Sequence, residues 1–447
     1  MPLETMKIKF ILSLVSCMIS FNSLKAQDDQ SLRYHANRKD VFIGTAVSNA
    51  FFGFAPTNQY VETLKGEFNA LVAENAMKFG PLRPSSTTFS FTNSDYLVDF
   101  AIENEMEIRG HALIWHNQLS SWVEEGDFSR EELLAVMEDH ISTVVGRYKG
   151  KIREWDVVNE AIDTNTGDNF RRTIFYNTIG PEYIDSAFVY AHRADPDALL
   201  FYNDYSAERI NEKSNVMYEM VQGMLERGIP IHGVGLQSHF ILNSMNFSSM
   251  DQNMKRFGEL GMLTNITELD IRMHNSVFDD PQALADQAKN YKKLMELCLE
   301  NESCTSFLMW GFTDAFSWIP NFFENYGNAL IYDHNYQPKP ARESLFEVLS
   351  EGYDFPSYIS HHNTSDLDIN VFPNPAKDKI TIESKTGKTN LTTEIFDLTG
   401  RKVLEMRHQS IYIQNIDLSA INKSGTYLLV VSNKENKIQR SMIQIIK

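Results

Sequence analysis

Two glutamates in strand-like sequence are the residues best suited to chemistry in this chain. Glu160 lies in residues 155–161, WDVVNEA, and Glu268 follows 108 residues later in 267–270, TELD. Cleavage of a glycosidic bond needs one carboxyl group that protonates the leaving oxygen and a second that attacks the sugar carbon. We expect Glu160 to be the acid/base and Glu268 the nucleophile, with their carboxyl groups about 5 to 5.5 Å apart.

The residues next to these glutamates fit the same chemistry. Asn159 directly precedes Glu160, where an amide can hold the sugar 2-hydroxyl through a contact that strengthens in the transition state. Asp270 lies two residues after Glu268 and therefore on the same strand face. With a histidine, Asp270 would keep Glu268 ionised and oriented.

Two histidines that follow strand-like runs are candidates for that partner, His239 and His111. Metal ligation by His111, His116 and His239 is an alternative. Paired glutamates argue against it, because a metal hydrolase would not need them. We expect neither a metal nor a cofactor.

Sugar rings have apolar faces and polar edges, so a binding site for them combines aromatic platforms with polar side chains. Three tryptophans follow predicted strand ends, Trp115, Trp310 and Trp318. The polar residues expected to contact ring edges are Glu74, Asn75, Lys78 and Gln118.

Eight apolar runs alternate with amphipathic helical patterns through the first three quarters of the chain. These predicted strands are residues 41–47, 68–74, 107–115, 152–158, 198–203, 233–237, 263–269 and 306–310. Eight consecutive β/α units predict a closed (β/α)8 TIM barrel, which we assign to residues 27–352. Catalytic residues of such barrels lie at the C-terminal ends of the strands, where both glutamates are expected.

Composition agrees with two folded domains in one exported chain. The 447 residues are 43% hydrophobic and 22% charged, with a formal net charge of −18. This charge excludes a nucleic-acid partner, because phosphates would be repelled. Polar residues 353–366 predict a linker, and the short alternating runs of residues 367–447 predict an all-β sandwich.

The N-terminus predicts a signal peptide over residues 1–26. Lys7 and Lys9 precede an apolar run that is too short to span a membrane. Met6 is an alternative start, and lipidation at Cys17 is an alternative to cleavage before Gln27. After cleavage only Cys298 and Cys304 remain; in an oxidising compartment they are expected to pair, the alternative being two buried thiols.

These motifs resemble glycoside hydrolase family 10, the retaining endo-β-1,4-xylanases. The matching segments, in family order over residues 40–349, are 73–78 (AENAMK), 109–116 (RGHALIWH), 155–161 (WDVVNEA), 235–239 (GLQSH), 267–270 (TELD) and 310–314 (WGFTD). One departure is residues 79–84, FGPLRP, where many members carry Trp-Asp and an acidic residue before proline. The resemblance implies endo-cleavage of xylan with retained anomeric configuration.

The resemblance also implies individual roles. Glu160 would be the acid/base and Glu268 the nucleophile. His239 and Asp270 would steady Glu268, while Asp156 would orient His111. The residues that would line the attacked sugar's subsite are Lys78, His111, Trp115, Asn159, Gln237, Trp310 and Trp318, with Glu74, Asn75 and Gln118 around the next subsite. The Cys298/Cys304 pair is similar to a disulfide of some members.

The last 80 residues or so resemble a type A sorting domain of the type IX secretion system. The resemblance lies in residues 369–375 (INVFPNP), 395–401 (IFDLTGR) and 425–427 (GTY). It implies secretion machinery as a partner and a location outside the cell, either released or attached to the surface. A carbohydrate-binding role is the alternative for this tail, although it contains no tryptophan.

Two other functions remain open at this point. A related retaining β-glycanase acting on cellulose or mixed-linkage glucan would use the same barrel, because a fold alone does not define a substrate. A surface receptor that binds polysaccharide without cutting it would be expected to lack one of the two acids. We expect a monomer whose partners are xylan and xylo-oligosaccharides.

Overall fold

The computed structural model describes residues 30–53, 57–351, 369–372, 376–396, 402–423, 425–433 and 438–445. The chain divides into two compact units, Met1–Gly352 and Tyr353–Lys447. The signal peptide expected over residues 1–26 and the linker expected over 353–366 lie outside the described residues, so both stay predictions.

Eight parallel strands form a closed barrel in the first unit, which confirms the predicted (β/α)8 class. They are β1 (Phe42–Val47), β2 (Ala70–Ala73), β3 (Glu107–Gly110), β4 (Glu154–Asn159), β5 (Leu199–Asp204), β6 (Gly233–Leu236), β7 (Leu263–His274) and β8 (Ser306–Met309). Each strand pairs with the next in sequence. Pairing of β8 with β1 closes the ring.

Helices connect the strands and pack around them. They are α1 (Leu32–Arg38), α2 (Thr57–Glu67), α3 (Phe79–Leu82), α4 (Thr92–Glu103), α5 (Ser121–Glu124), α6 (Arg130–Arg147), α7 (Ile174–Ile179), α8 (Glu182–Ala194), α9 (Glu212–Glu226), α10 (Phe247–Glu259), α11 (Pro281–Glu300), α12 (Ile319–Phe322) and α13 (Pro340–Ser350). The 3-10 helices are Asn49–Gly53, Asn275–Val277 and Asp314–Phe316. No helix of the described residues is long and apolar enough to cross a bilayer.

Two strands end five residues away from the predicted position, whereas the other strands end within one residue of it. Strand β3 stops at Gly110 instead of Trp115, although Ile114 still donates a backbone hydrogen bond to Val157 of β4. Strand β7 continues past the predicted end at residue 269 to His274. Two short strands, His239–Ile241 and Tyr326–Gly327, form backbone hydrogen bonds with this extension. The extension continues β7 beyond the barrel on its C-terminal side.

The second unit is all-β, as predicted. Its strands are β9 (Ile369–Phe372), β10 (Lys379–Phe396), β11 (Lys402–Asp417), β12 (Gly425–Asn433) and β13 (Ile438–Ile445). Strand β10 pairs with β9 through its first half and with β12 through its second half, and its register with β11 shifts between Glu383 and Lys388. All five strands belong to one hydrogen-bonded sheet, and their buried apolar side chains form a core of their own.

Cys298 and Cys304 form a disulfide between the end of α11 and the loop before β8. Both cysteines are buried and belong to the hydrophobic core of the barrel unit. The bridge therefore braces a helix against the barrel and does not contribute to a binding surface.

Candidate active site

Glu160 directly follows β4, and Glu268 lies in β7 where its pairing with β8 ends and its extension begins; both line one cleft of about 630 Å³. Glu160 has a left-handed backbone, with φ 58°, which costs a residue with a side chain about 1 kcal/mol or more. Two hydrogen bonds hold this conformation. The Glu160 amide donates to the Asn203 carbonyl (2.9 Å), and Arg171 Nε donates to the Glu160 carbonyl (2.8 Å).

The Glu160 carboxylate has only neutral amides as hydrogen-bond partners among the described residues. Gln237 Nε2 donates to Glu160 Oε1 at 3.1 Å, and the amide of Asn159 lies 3.3 Å from the same oxygen. The same terminal atom of the Asn159 amide lies 3.2 Å from Trp115 Nε1, and the other terminal atom lies 2.9 Å from Asn203 Nδ2. Glu160 is half-buried and open to the cleft.

Glu268 occupies a different environment. It is 5% exposed, and its Oε1 accepts a hydrogen bond from Asn203 Nδ2 at 2.7 Å. Its Oε2 lies 3.2 Å from His239 Nε2. Burial alone would raise the pKa of Glu268, but the hydrogen bond from His239 and the charges of His111 and His239 outweigh it and hold the pKa below its usual value.

His239 is the charged partner of Glu268. Its Nδ1 lies 2.7 Å from Asp270 Oδ2, and Trp318 Nε1 donates to the same oxygen at 2.9 Å. Burial would lower the pKa of His239, but Asp270 and Glu268 raise it to about 10. His239 is therefore an imidazolium near neutral pH and donates from both ring nitrogens.

A second buried chain of charges positions His111. Its Nδ1 lies 2.9 Å from Asp156 Oδ2 and 3.9 Å from Glu268 Oε1. Arg109 donates from Nε to Asp156 (3.1 Å) and from Nη1 to Glu154 (2.6 Å). Burial would raise the pKa of Asp156, but Arg109 and His111 lower it, so the carboxylate stays charged.

The predicted sugar-binding residues meet around the glutamates. Lys78 Nζ lies over the Trp115 ring at 4.8 Å and the Trp310 ring at 5.8 Å, and donates to Asn75 at 3.2 Å. Burial lowers the pKa of Lys78 although three carboxylates oppose the shift. The predicted residues that line the cleft are Glu74, Asn75, Lys78, His111, Trp115, Gln118, Asn159, Glu160, Gln237, His239, Glu268, Trp310 and Trp318. Asp156 and Asp270 are buried behind it.

The structure adds Asn203 to the site. It is fully buried at the end of β5, donates to Glu268, and is oriented by Thr267 Oγ1, which donates to Asn203 Oδ1 at 2.7 Å. Gly235 makes room for it, because a Cβ there would lie 2.1 Å from Asn203 Oδ1. Its sequence signal was a polar residue at a predicted strand end. The other cleft residues outside the predicted set lie on loops, at the end of α12 or on the β7 extension: His116, Asn117, Arg171, Tyr205, Ser206, Arg272, Phe322 and Phe323.

The metal alternative receives no support from this arrangement. His111, His116 and His239 all line the cleft. Within the described ranges, however, no three His, Cys, Asp or Glu side chains are grouped as metal ligands. Burial and Arg171 lower the pKa of His116, so this ring is neutral near pH 7.

The closed barrel and the paired carboxylates at its C-terminal end are the features of a glycoside hydrolase. The glycosyl hydrolase family 10 model matches residues 31–348, and the chain belongs to that family. Residues 370–446 match the secretion system C-terminal sorting domain.

Several relatives are similar to the barrel over most of their length. "Endo-1,4-beta-xylanase B" of Thermotoga neapolitana is 42% identical over 344 residues, which are 76% of this chain and 96% of that protein. "Beta-1,4-xylanase" of Dictyoglomus thermophilum is 39% identical, covering 68% of this chain and 87% of the relative. The solved structure of native xylanase 10B from Thermotoga maritima is 44% identical, with a TM-score of 0.70, covering 71% of this chain and 98% of that one.

The raised pKa of His239 predicts how stability depends on pH. Its ordinary value is about 6.5, so the imidazolium stabilises the fold fully below that pH, and the contribution is lost as pH rises through about 10. The free energy of unfolding should fall less steeply between about pH 7 and about pH 10 in His239→Asn than in the wild type. Urea unfolding followed by tryptophan fluorescence measures this, since all 5 tryptophans lie in the barrel unit. Equal slopes for both proteins would contradict the assignment.

Proposed function

We propose that this protein is a secreted, retaining endo-1,4-beta-xylanase that hydrolyses internal β-1,4-xylosidic bonds of xylan and needs no cofactor. The observation that carries the proposal is the contrast between two carboxylates of one cleft. Glu268 is buried against a charged histidine and has a lowered pKa, whereas Glu160 contacts neutral amides. The names of relatives matched over most of their length support the same activity.

The proposed reaction is a double displacement. Glu268, ionised, attacks the anomeric carbon while Glu160 protonates the leaving glycosidic oxygen, which gives a covalent glycosyl-enzyme. Glu160 then takes a proton from water, and that water displaces Glu268 with a second inversion. Two inversions retain the configuration.

The neighbouring side chains are proposed to serve these two steps. Asn203 and His239 hold the two oxygens of Glu268, which keeps one lone pair directed at the sugar. The Asn159 amide lies 3.3 Å from Glu160 Oε1 and 2.9 Å from Nδ2 of Asn203, the partner of Glu268. This position suits it to hold the sugar 2-hydroxyl. Lys78, beside Trp115 and Trp310, supplies a cationic donor at the edge of the same subsite.

The acid/base role predicts a dependence on the leaving group. Glu160→Ala should lower hydrolysis of xylohexaose by about 10²- to 10⁴-fold. The same substitution should slow the glycosylation step much less when the substrate is an aryl xylobioside with an acidic phenol, because that leaving group needs no protonation. Steady-state and burst kinetics on both substrates measure the difference. Glu107→Ala, an exposed carboxylate at the start of β3, is the matched control and should leave both rates unchanged. An equal loss on both substrates would contradict the role.

Substrate preference follows from the shape of the cleft. Xylose lacks the hydroxymethyl arm of glucose, and Trp310 and Trp318 both line the cleft at the attacked sugar's proposed position. Aryl xylobioside should therefore be hydrolysed with a kcat/KM at least about 10-fold above that of aryl cellobioside. A preference for the cellobioside would favour the related β-glycanase function and contradict the xylanase proposal.

A receptor that binds polysaccharide without cutting it has less support. Both acids are present with their hydrogen-bond partners. Undiminished xylan hydrolysis by Glu268→Ala would contradict the proposed mechanism in any case.

We also propose an order of domains for export. Residues 1–26 would be the signal peptide, 27–352 the catalytic barrel, 353–366 the linker and 367–447 the sorting domain. The match of residues 370–446 to a secretion system sorting domain supports recognition by that machinery, here the type IX system. The enzyme would then act outside the cell, released or attached to its surface, as a monomer.

A further inference from the structure

The extension of β7 beside the cleft carries Arg272, a cation with no hydrogen-bond or ion-pair partner among the described residues. Arg272 lies four residues beyond Glu268 on the same strand face, about 13 Å farther along the strand. Its side chain lines the cleft. Among the described residues, its guanidinium forms no hydrogen bond or ion pair, and its Nε is buried without an acceptor.

The other cations of the cleft are already engaged. Lys78 donates to Asn75 and lies near three carboxylates. Arg171 donates to the Glu160 carbonyl and to the Tyr205 hydroxyl. Of the lysines and arginines that line the described part of the cleft, Arg272 is the one that forms no hydrogen bond or ion pair with the protein.

Aromatic rings hold Arg272 and extend its surface. The Phe323 ring lies 3.9 Å from the guanidinium carbon and covers one face of the guanidinium, and the Tyr326 ring lies 5.8 Å from the same carbon. Next to it, Phe322 is 70% exposed, although its ring centroid is only 5.1 Å from that of Trp318. An exposed aromatic ring at the rim of a sugar-binding cleft offers a stacking platform.

We propose that Arg272 and Phe322 bind a uronic acid side group of xylan, with Arg272 pairing with the carboxylate and Phe322 stacking on the ring. This inference rests on the proposed xylanase function. Distance supports a side group over the main chain of the polysaccharide, because Arg272 stands well above Glu268. Charge supports it too: a protein of net charge −18 repels an acidic polysaccharide, so a local cation is needed to admit one.

Three substrates of one chain length test the proposal with the full-length enzyme. They are linear xylohexaose, a xylo-oligosaccharide carrying one glucuronic acid, and the same compound with its carboxyl group reduced to an alcohol. Arg272→Gln should lower kcat/KM about 10-fold on the acidic compound, the loss expected for one charge-assisted pair. It should change kcat/KM less than about twofold on the other two. An equal change on all three, or none, would overturn the proposal.

Further variants separate charge from structure. Arg272→Lys should keep part of the preference for the acidic compound, because lysine keeps the positive charge but lacks the planar guanidinium that donates two parallel hydrogen bonds to a carboxylate. Phe322→Ala should weaken hydrolysis of both decorated compounds and spare xylohexaose. Arg193→Gln, a surface arginine paired with Glu138 outside the cleft, should leave all three rates unchanged. In the wild type, the preference for the acidic over the reduced compound should shrink as salt rises, and a preference insensitive to salt would also overturn the charge pairing.

The outcomes distinguish this inference from the function it rests on. Absence of xylohexaose hydrolysis by the wild type would mean that the xylanase proposal is wrong. Rapid xylohexaose hydrolysis with equal rates on the acidic and reduced compounds would support the xylanase proposal and contradict the uronic acid site.

Discussion

A carboxylate that stays ionised while buried is the constraint on which the site depends. Removing a charge from water costs several kcal/mol, and Glu268 is only 5% exposed. Hydrogen bonds involving charged groups return about 1.5 to 3 kcal/mol each. Asn203 and His239 supply two such bonds to Glu268, and Asp270 keeps His239 charged so that its bond is of the strong kind.

This constraint explains why so much of the barrel interior is polar. Asn203 needs Thr267 for its orientation and Gly235 for space. Asp270 receives a further hydrogen bond from Trp318, so an expected sugar platform is fixed by the same network. Glu160 lacks comparable charged partners among the described residues. The chemical difference between the two glutamates therefore originates in neighbours contributed by strands β5, β6 and β7, by the short strand His239–Ile241 and by the segment after β8.

Much of the fold could be predicted from sequence, because parallel barrel strands are buried on both faces and read as apolar runs. The position of Glu160 and Glu268 at strand ends followed from the same pattern. The end of β3 could not be predicted, since residues 111–115 stay apolar while leaving the regular strand. The extension of β7 depends on two short strands that pair with it from distant segments.

The role of Asn203 also escaped prediction, for a related reason. Its partner Glu268 is 65 residues away, and its space exists only because position 235 has no side chain. Arg272 was missed because it lies beyond the predicted end of β7 at residue 269, and because Phe323, which covers one face of its guanidinium, comes from the segment after β8. In each case the missing information was a contact between segments far apart in the chain.

The most direct test of the central claim is to trap the glycosyl-enzyme. A 2-deoxy-2-fluoroxylobioside with an activated leaving group should form a covalent adduct that turns over slowly, because the fluorine destabilises the oxocarbenium-like transition state of the second step. Peptide mass spectrometry should then locate one adduct on the peptide that contains Glu268. An adduct on Glu160, or no adduct together with products of inverted configuration, would contradict the account.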